Sequence, residues 1–367
     1  NPDFTEENLR EMVHHISKSN IKKINGDIIV DSSIFDHIWW DKGRDPEDTD
    51  QAYAAPLSGL NFNWNAVQVF VRPATAPGRP PVVYADPLSD YIFVDNQATT
   101  TRGNTSRLHI RRRENSDQTN TLVVTGSIGI DAKEFVAYRS ITNPDLWAAY
   151  QLKAFLQQRD IQVLGNIESA LTPMVARPLA TFESPSIFHS IKDLLKYSNN
   201  LIAEALTKQL AAHSGETPAS MQTGLNIIHQ FLEDSGLNDN SFFIGNPAGL
   251  SRKNRFTPLA VHHLLLHLKQ QVHIFPEILA SLPIAGVDGT LKRRMQDSPA
   301  KGFVRGKTGT LDGVSTLAGF VQSEKSETYN FAFFYNGPNN KSTQAKALWD
   351  QLCQILYLDK KITLKEF

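Results

Sequence analysis

Three runs of strand periodicity sit in succession near the C-terminus, at about 303–308, 314–323 and 328–336, and helical patterns lie on either side of them. In the third run Tyr329, Phe331 and Phe333 alternate with Asn330, Ala332 and Phe334, the period of two that separates the faces of a strand. The gaps between the runs are short, which favours an antiparallel meander. Residues 187–280 read as mostly helical. Ile187, Ile191, Leu194 and Leu195 share one helical face, the pattern breaks at Tyr197-Ser198-Asn199-Asn200, and it resumes with Leu201, Ala205, Leu206 and Leu210. Further helices are expected at 218–234, ending near Gly236, and at 258–270, opening on Pro258. An amphipathic pattern closes the chain at about 341–357. A sheet with one apolar face must cover it, and the sequence supplies helices to do so, so the C-terminal half reads as an α+β domain.

The N-terminal half is patterned differently. A first helix begins at Thr5, with Leu9, Met12, Val13 and Ile16 on one face. Asn25-Gly26 turns the chain into the apolar run Ile28-Ile29-Val30. Val67, Val69 and Val71 alternate with Gln68, Phe70 and Arg72, then prolines 73, 77, 80 and 81 punctuate. More strands are expected near 91–95, 107–112 and 121–130, and a helix at 145–158. The stretch 166–186, with Pro173, Pro178 and Pro185, reads as a linker.

A chain of 367 residues exceeds one compact core, so two or three domains are implied. The net charge of −1 provides no global attraction to nucleic acid or anionic membrane. The basic cluster Arg111-Arg112-Arg113 is followed by Glu114 and Asp117 and reads as a solvated face. One cysteine, Cys353, excludes an intrachain disulfide, and its apolar helical surroundings mark it as a core thiol. No apolar stretch reaches the roughly 20 residues of a membrane helix, and no secretory signal opens the chain. The first residue is not Met, which points to a mature or truncated form.

Two short motifs carry chemistry. Ser198-Asn199-Asn200 lies in a break between helical patterns, and Lys307-Thr308-Gly309 ends a strand pattern. With S-x-x-K, the S-x-N and K-T-G types form the signature of serine acyl-transferases of the β-lactamase and penicillin-binding class. Taken singly, each tripeptide reads equally as a polar turn. Their order and structural context raise them to a site.

Six stretches extend the likeness: INGDIIVD at 24–31, YAAPLSGLN at 53–61, SNNLIAEAL at 198–206, GLSRKNRFTP at 249–258, LPIAGVDGTL at 282–291 and KTGTL at 307–311. In this order they resemble the class C low-molecular-mass penicillin-binding proteins, the D-alanyl-D-alanine carboxypeptidase/endopeptidases. The resemblance implies a serine β-lactamase/transpeptidase-like domain, an antiparallel sheet flanked by helices, with large β-rich inserted accessory domains. On that pattern residues 1–176 correspond to the inserted region, with an inner subdomain at roughly 63–136, and 177–367 to the C-terminal part of the transpeptidase-like domain. The N-terminal part, which in the family carries S-x-x-K, is expected to be missing. Ser19-Asn-Ile-Lys22 and Ser298-Pro-Ala-Lys301 fit S-x-x-K by spacing alone. Both lie in the wrong context for a serine that opens a buried helix.

The resemblance also implies roles. Ser198 would relay a proton to the departing D-alanine, and Asn200 would bind the substrate amide. Lys307 and Thr308 would hold the terminal carboxylate on the strand that continues through Gly309, and the Thr310 N–H would be an oxyanion donor. Trp40, Asp48 or Asp50, Tyr53 and Arg252 resemble residues around a diaminopimelate-like side chain. The chain departs from the family at Asn246-Pro247-Ala248, where Asp-Gly-Ser is usual. Peptidoglycan stem peptides and β-lactam antibiotics are the implied partners, with no cofactor, no metal, no nucleic acid and no integral membrane span. The implied location is the periplasm or the outer face of the cytoplasmic membrane. His263 and His267, four apart on a helix, lack a third ligand of matching spacing and read as helix surface. The competing readings are a non-catalytic peptidoglycan-binding or scaffold protein that has lost its nucleophile, and a β-lactamase or esterase on the same fold.

Overall fold

The computed structural model describes residues 2–41, 44 and 49–359. They group into two compact units, Asn1–Ser184 with Glu204–Gly224, and Pro185–Ala203 with Leu225–Phe367. No helix among the described residues is long and apolar enough to cross a membrane.

The first unit opens with helix α1 (Glu6–Ser17). The Asn8 side chain caps it by accepting hydrogen bonds from the Thr5 N–H and hydroxyl, both at 2.9 Å. Its strand pairs are nested. The short strands β1 (Lys23–Ile24) and β2 (Ile28–Val30) pair in parallel with β10 (Gln162–Val163) and β11 (Ile167–Ser169). Within that frame β3 (Ala66–Arg72) lies between β4 (Val82–Asp86) and β9 (Phe135–Ser140) in an antiparallel sheet. Between these lies a second sheet of β5 (Ile92–Asn96), β6 (Thr99–Thr101), β7 (Ser106–Glu114) and β8 (Asn120–Gly129). The valines at 67, 69 and 71 are fully buried, as their alternation requires. The proline-rich stretch 166–186 is more than a linker: the three residues Ile167–Ser169 form strand β11, too short for periodicity to reveal.

Helix α2 (Pro144–Gln157) plugs this unit. Trp147 is fully buried against Phe62 and Tyr91. Near the helix start, the buried Asp145 carboxylate accepts from Ser32, Ser58 and Ser169 hydroxyls at 2.7, 2.6 and 3.0 Å. Three distant segments thereby satisfy one charge that also lies at the positive end of a helix dipole.

The second unit contains helix α3 (Ile187–Tyr197), the start of α4 (Asn200–His213), most of α5 (Met221–Asp234), then α6 (Pro258–Gln270) and α7 (Phe275–Ser281). After the short antiparallel pair β12 (Phe242–Phe243) and β13 (Arg255–Phe256), the meander follows as β14 (Val304–Leu311), β15 (Val314–Gln322) and β16 (Thr328–Asn336), antiparallel and in that spatial order. Helix α8 (Ser342–Tyr357) packs Trp349 and Cys353 with Leu317, Val321 and Phe331 on one face. Phe320, on the opposite face by alternation, meets Phe275 of α7 at 5.1 Å. Helices thus cover both faces, the arrangement expected for a serine transpeptidase-like fold. Cys353 is fully buried, and burial pushes its thiol up to about 12.

The first unit also buries charge. Arg44 and Glu204 form an ion pair whose side chains are 4% and 1% exposed. Arg44 donates as well to the carbonyls of Ala54 and Ala55 at 2.9 and 2.8 Å. One turn along α4, the buried Lys208 ammonium donates to Asp36 and to the Ile38 carbonyl. Removing one partner leaves a desolvated charge alone. Glu204→Ala is therefore expected to lower unfolding free energy by about 3–5 kcal/mol, with Glu204→Leu combined with Arg44→Met recovering most of it. Urea denaturation checks this. A single variant within about 1 kcal/mol of wild type contradicts it.

Candidate active site

Helix α3 ends because Ser198 takes left-handed backbone angles, φ 57° and ψ 47°. A non-glycine residue pays roughly 1–2 kcal/mol for that conformation. The next helix starts at once: Asn199 Oδ1 accepts the Ile202 N–H at 3.2 Å and caps it. Asn200 is its first residue and is half-buried. The left-handed step is what separates the two helical patterns and presents the Ser198 hydroxyl in a kink.

Lys307 reaches that hydroxyl from β14. Its ammonium donates to Ser198 Oγ at 2.7 Å and to the Thr308 carbonyl at 2.7 Å. Lys307 is opposite Ala318 and so shares the sheet face of Phe320, the face lined by α7. Burial lowers the Lys307 pKa to about 8. Among the described residues no carboxylate pairs with this half-buried ammonium.

The outer edge of β14 is partly covered. Gly306 N–H donates to Pro283 O at 3.0 Å, and Val304 O accepts from Ala285 N–H at 3.0 Å. Residues two apart direct their N–H groups to the same edge. Thr308 and Thr310 therefore aim theirs outward, and among the described residues β15 is the one named strand that pairs with β14. Gly309 is needed here: a Cβ would come 2.4 Å from Thr316 Oγ1. Arg252 donates to the Asp312 carbonyl at 3.1 Å, in the turn that leaves β14.

The structure therefore brings Ser198 and Lys307 into contact, with Thr308, Gly309 and Thr310 along the same strand and Arg252 at its end. The other sequence candidates lie in the first unit. The Trp40 indole donates to the Ala54 carbonyl at 3.1 Å, Asp50 accepts from Gln51 at 2.8 Å, and Tyr53 is exposed. Asp48 lies outside the described residues. Ser19 is in the turn after α1, its hydroxyl on the Ile16 carbonyl, and Ser298 is in a turn with Lys301. Neither serine opens a helix. Asn246, in the stretch that departs from the expected pattern, is buried and accepts the Ala248 and Leu250 N–H groups at 3.0 and 3.3 Å.

Three residues escaped the sequence reading. Lys196 Nζ, two residues before Ser198, donates to both Asp288 oxygens at 2.8 and 2.7 Å and to the Leu282 carbonyl at 2.7 Å. Thr290 Oγ1 accepts the Thr308 hydroxyl at 2.8 Å. Asp288 and Thr290 belong to LPIAGVDGTL, a stretch used only for its likeness. Away from the motifs, His229, Glu233 and Asp239 form a half-exposed surface cluster in which the imidazole faces both carboxylates at 3.6 and 3.8 Å.

Known proteins share this arrangement of elements. The D-alanyl-D-alanine carboxypeptidase of Actinomadura sp. (strain R39) is 31% identical over 359 residues, covering 92% of this chain and 64% of that protein. The chain thus spans just under two thirds of the length of that relative. The D-alanyl-D-alanine carboxypeptidase DacB of Haemophilus influenzae is 28% identical over 353 residues, covering 94% of this chain and 72% of that one. The crystal structure of penicillin binding protein 4 (dacB) from Haemophilus influenzae superposes with a TM-score of 0.79 at 25% identity, covering 97% of this chain and 80% of that chain. A second structure of that protein, complexed with a novel β-lactam, gives 0.75 at 26% identity and covers 98% and 78%. Residues 1–357 match the model of the D-Ala-D-Ala carboxypeptidase 3 (S13) family, and the chain belongs to that family.

Proposed function

We propose that this chain carries the leaving-group and carboxylate-binding half of a serine D-Ala-D-Ala carboxypeptidase/endopeptidase site acting on peptidoglycan stem peptides and cross-links. The observation that supports it is the 2.7 Å bond from Lys307 Nζ to Ser198 Oγ beside an open strand edge. With its oxygen accepting from Lys307, the Ser198 hydroxyl keeps its hydrogen free to donate to a departing amine. Lys307 and the Thr308 hydroxyl supply charge and direction for a terminal carboxylate. The outward N–H of Thr310 serves an oxyanion, and Asn200 the substrate amide. Arg252, bonded at the end of β14, is assigned to the diaminopimelate-like side chain.

The nucleophile is assigned to no residue of this chain. Acyl transfer needs a serine with an adjacent base, and Ser198 has Leu201 rather than lysine three residues on. In the full-length protein an S-x-x-K pair outside these residues completes the site and forms the acyl-enzyme with β-lactams. Such substrates place the protein in the periplasm or on the outer face of the cytoplasmic membrane. A scaffold without catalysis is disfavoured, since it has no use for a half-buried ammonium bonded to a serine held in left-handed backbone.

In the full-length protein, Lys307→Ala is expected to lower kcat/KM on D-Ala-D-Ala peptides about a hundredfold, the scale of losing one preorganised charge. Unchanged kcat/KM removes Lys307 from the site. Fluorescent penicillin followed by peptide mass spectrometry is expected to label neither Ser19 nor Ser298. Label on either one relocates the nucleophile into this chain.

The lowered pKa of Lys307 gives a further expectation. The ammonium persists below about pH 8 and is lost above it. Carboxylate-terminated substrates need it charged, so their kcat/KM should fall as pH rises through about 8, reporting the free enzyme. Lys307→Arg, which stays charged, should abolish that descending limb at a lower plateau. A wild-type profile flat to pH 9.5 counts against the assignment.

A further inference from the structure

Thr308 gives its hydroxyl hydrogen to Thr290 Oγ1 at 2.8 Å, and the pair faces solvent: Thr290 is exposed and Thr308 half-buried. We infer that Thr290 is a positioning residue for carboxylate recognition, acting through the Thr308 hydroxyl; this rests on the reading of the Lys307–Thr308 edge as a carboxylate site.

A hydroxyl has one hydrogen and two lone pairs. In the ligand-free groove the Thr308 hydrogen is committed to Thr290. A carboxylate arriving beside the Lys307 ammonium claims that hydrogen, because a bond to a charged acceptor is shorter and stronger than one between two hydroxyls. The Thr308 oxygen then has a lone pair facing Thr290, and the Thr290 hydroxyl rotates to donate into it. The contact survives with its direction reversed. The new chain runs Thr290 to Thr308 to carboxylate, and each bond polarises the next. No heavy atom moves and no hydrogen bond is lost. Valine at 290 removes both states of the contact, leaving the Thr308 rotor undirected and its donation to the carboxylate unreinforced.

The loop that carries Thr290 is held for this task from both sides. Lys196 binds both oxygens of Asp288, two residues before Thr290, and Asp288 also accepts the Ile284 N–H at 2.8 Å. Gly289 between them has φ 56°, and a Cβ there would lie 2.7 Å from the Lys196 carbonyl, so no side chain fits. The Pro283 and Ala285 backbone bonds fasten the loop to β14 at Gly306 and Val304. One segment therefore grips the residue two before Ser198 and the residue one before Lys307, and places Thr290 against Thr308.

The test uses the natural full-length protein and two thioesters that share one acyl-D-alanyl group. One has a carboxymethylthio leaving group, which bears a carboxylate, and the other a neutral ethylthio group. Wild type should prefer the carboxylate-bearing thioester in kcat/KM. Thr290→Val should cut that preference about tenfold, mainly by slowing the carboxylate-bearing thioester, and Thr290→Ser should restore it. A variant that loses activity equally on both thioesters, or keeps the wild-type preference, overturns the inference, because a merely structural role moves both substrates together. Wild type that hydrolyses neither overturns the underlying reading, and this inference with it.

Discussion

The contact between Lys307 and Ser198 organises the second unit, because each partner needs a costly local arrangement to reach it. Ser198 needs a left-handed backbone step between two helices. Lys307 needs its ammonium drawn partly out of water. Neither cost is repaid where it arises. The helix break is stabilised by the Asn199 cap on one side and, on the other, by the anchoring of Lys196 to Asp288. The strand is held by Gly309 against Thr316 and by the loop bonded at Val304 and Gly306. Strain of this kind persists only where the surroundings over-determine it, and here the helix end, the strand and the loop all close on the same few residues.

The first unit solves a different problem, that of returning a long excursion to its starting point. Pairing 23–30 with 162–169 in parallel closes the outer frame, and the antiparallel pairing of β3 with β9 closes an inner one. Short strands contribute little by themselves. Asp145 compensates by drawing hydroxyls from Ser32, Ser58 and Ser169 onto the start of α2. These serines fasten both strands of the frame and the loop before β3 to one carboxylate.

Much of this was legible in the residues. The alternation at Val67, Val69 and Val71 and in the meander gave strands where strands occur, because burial on one face selects a period of two. Ser198 and Lys307 could be paired because the motifs name them. Strand β11 was hidden because three residues carry no period. Strands β4 and β9 were hidden by the proline-rich text before one and the short half-buried alternation of the other. Lys196 and Asp288 were illegible for another reason: an ion pair between residues 92 apart leaves no local pattern, and a lysine near a helix end reads as solvated. Thr290 is an ordinary exposed threonine until the fold sets it against Thr308.

The solitary thiol has a practical meaning. Cys353 is sealed beneath Trp349 and the sheet, and burial keeps it protonated far above neutral pH. A thiol attacks electrophiles as its thiolate, so native molecules are inert to alkylating reagents at this position. Alkylation must await separation of the last helix from the meander. The rate at which iodoacetamide consumes the thiol is thus a clock for that opening, and a cysteine introduced on the surface can carry a dye while Cys353 stays silent.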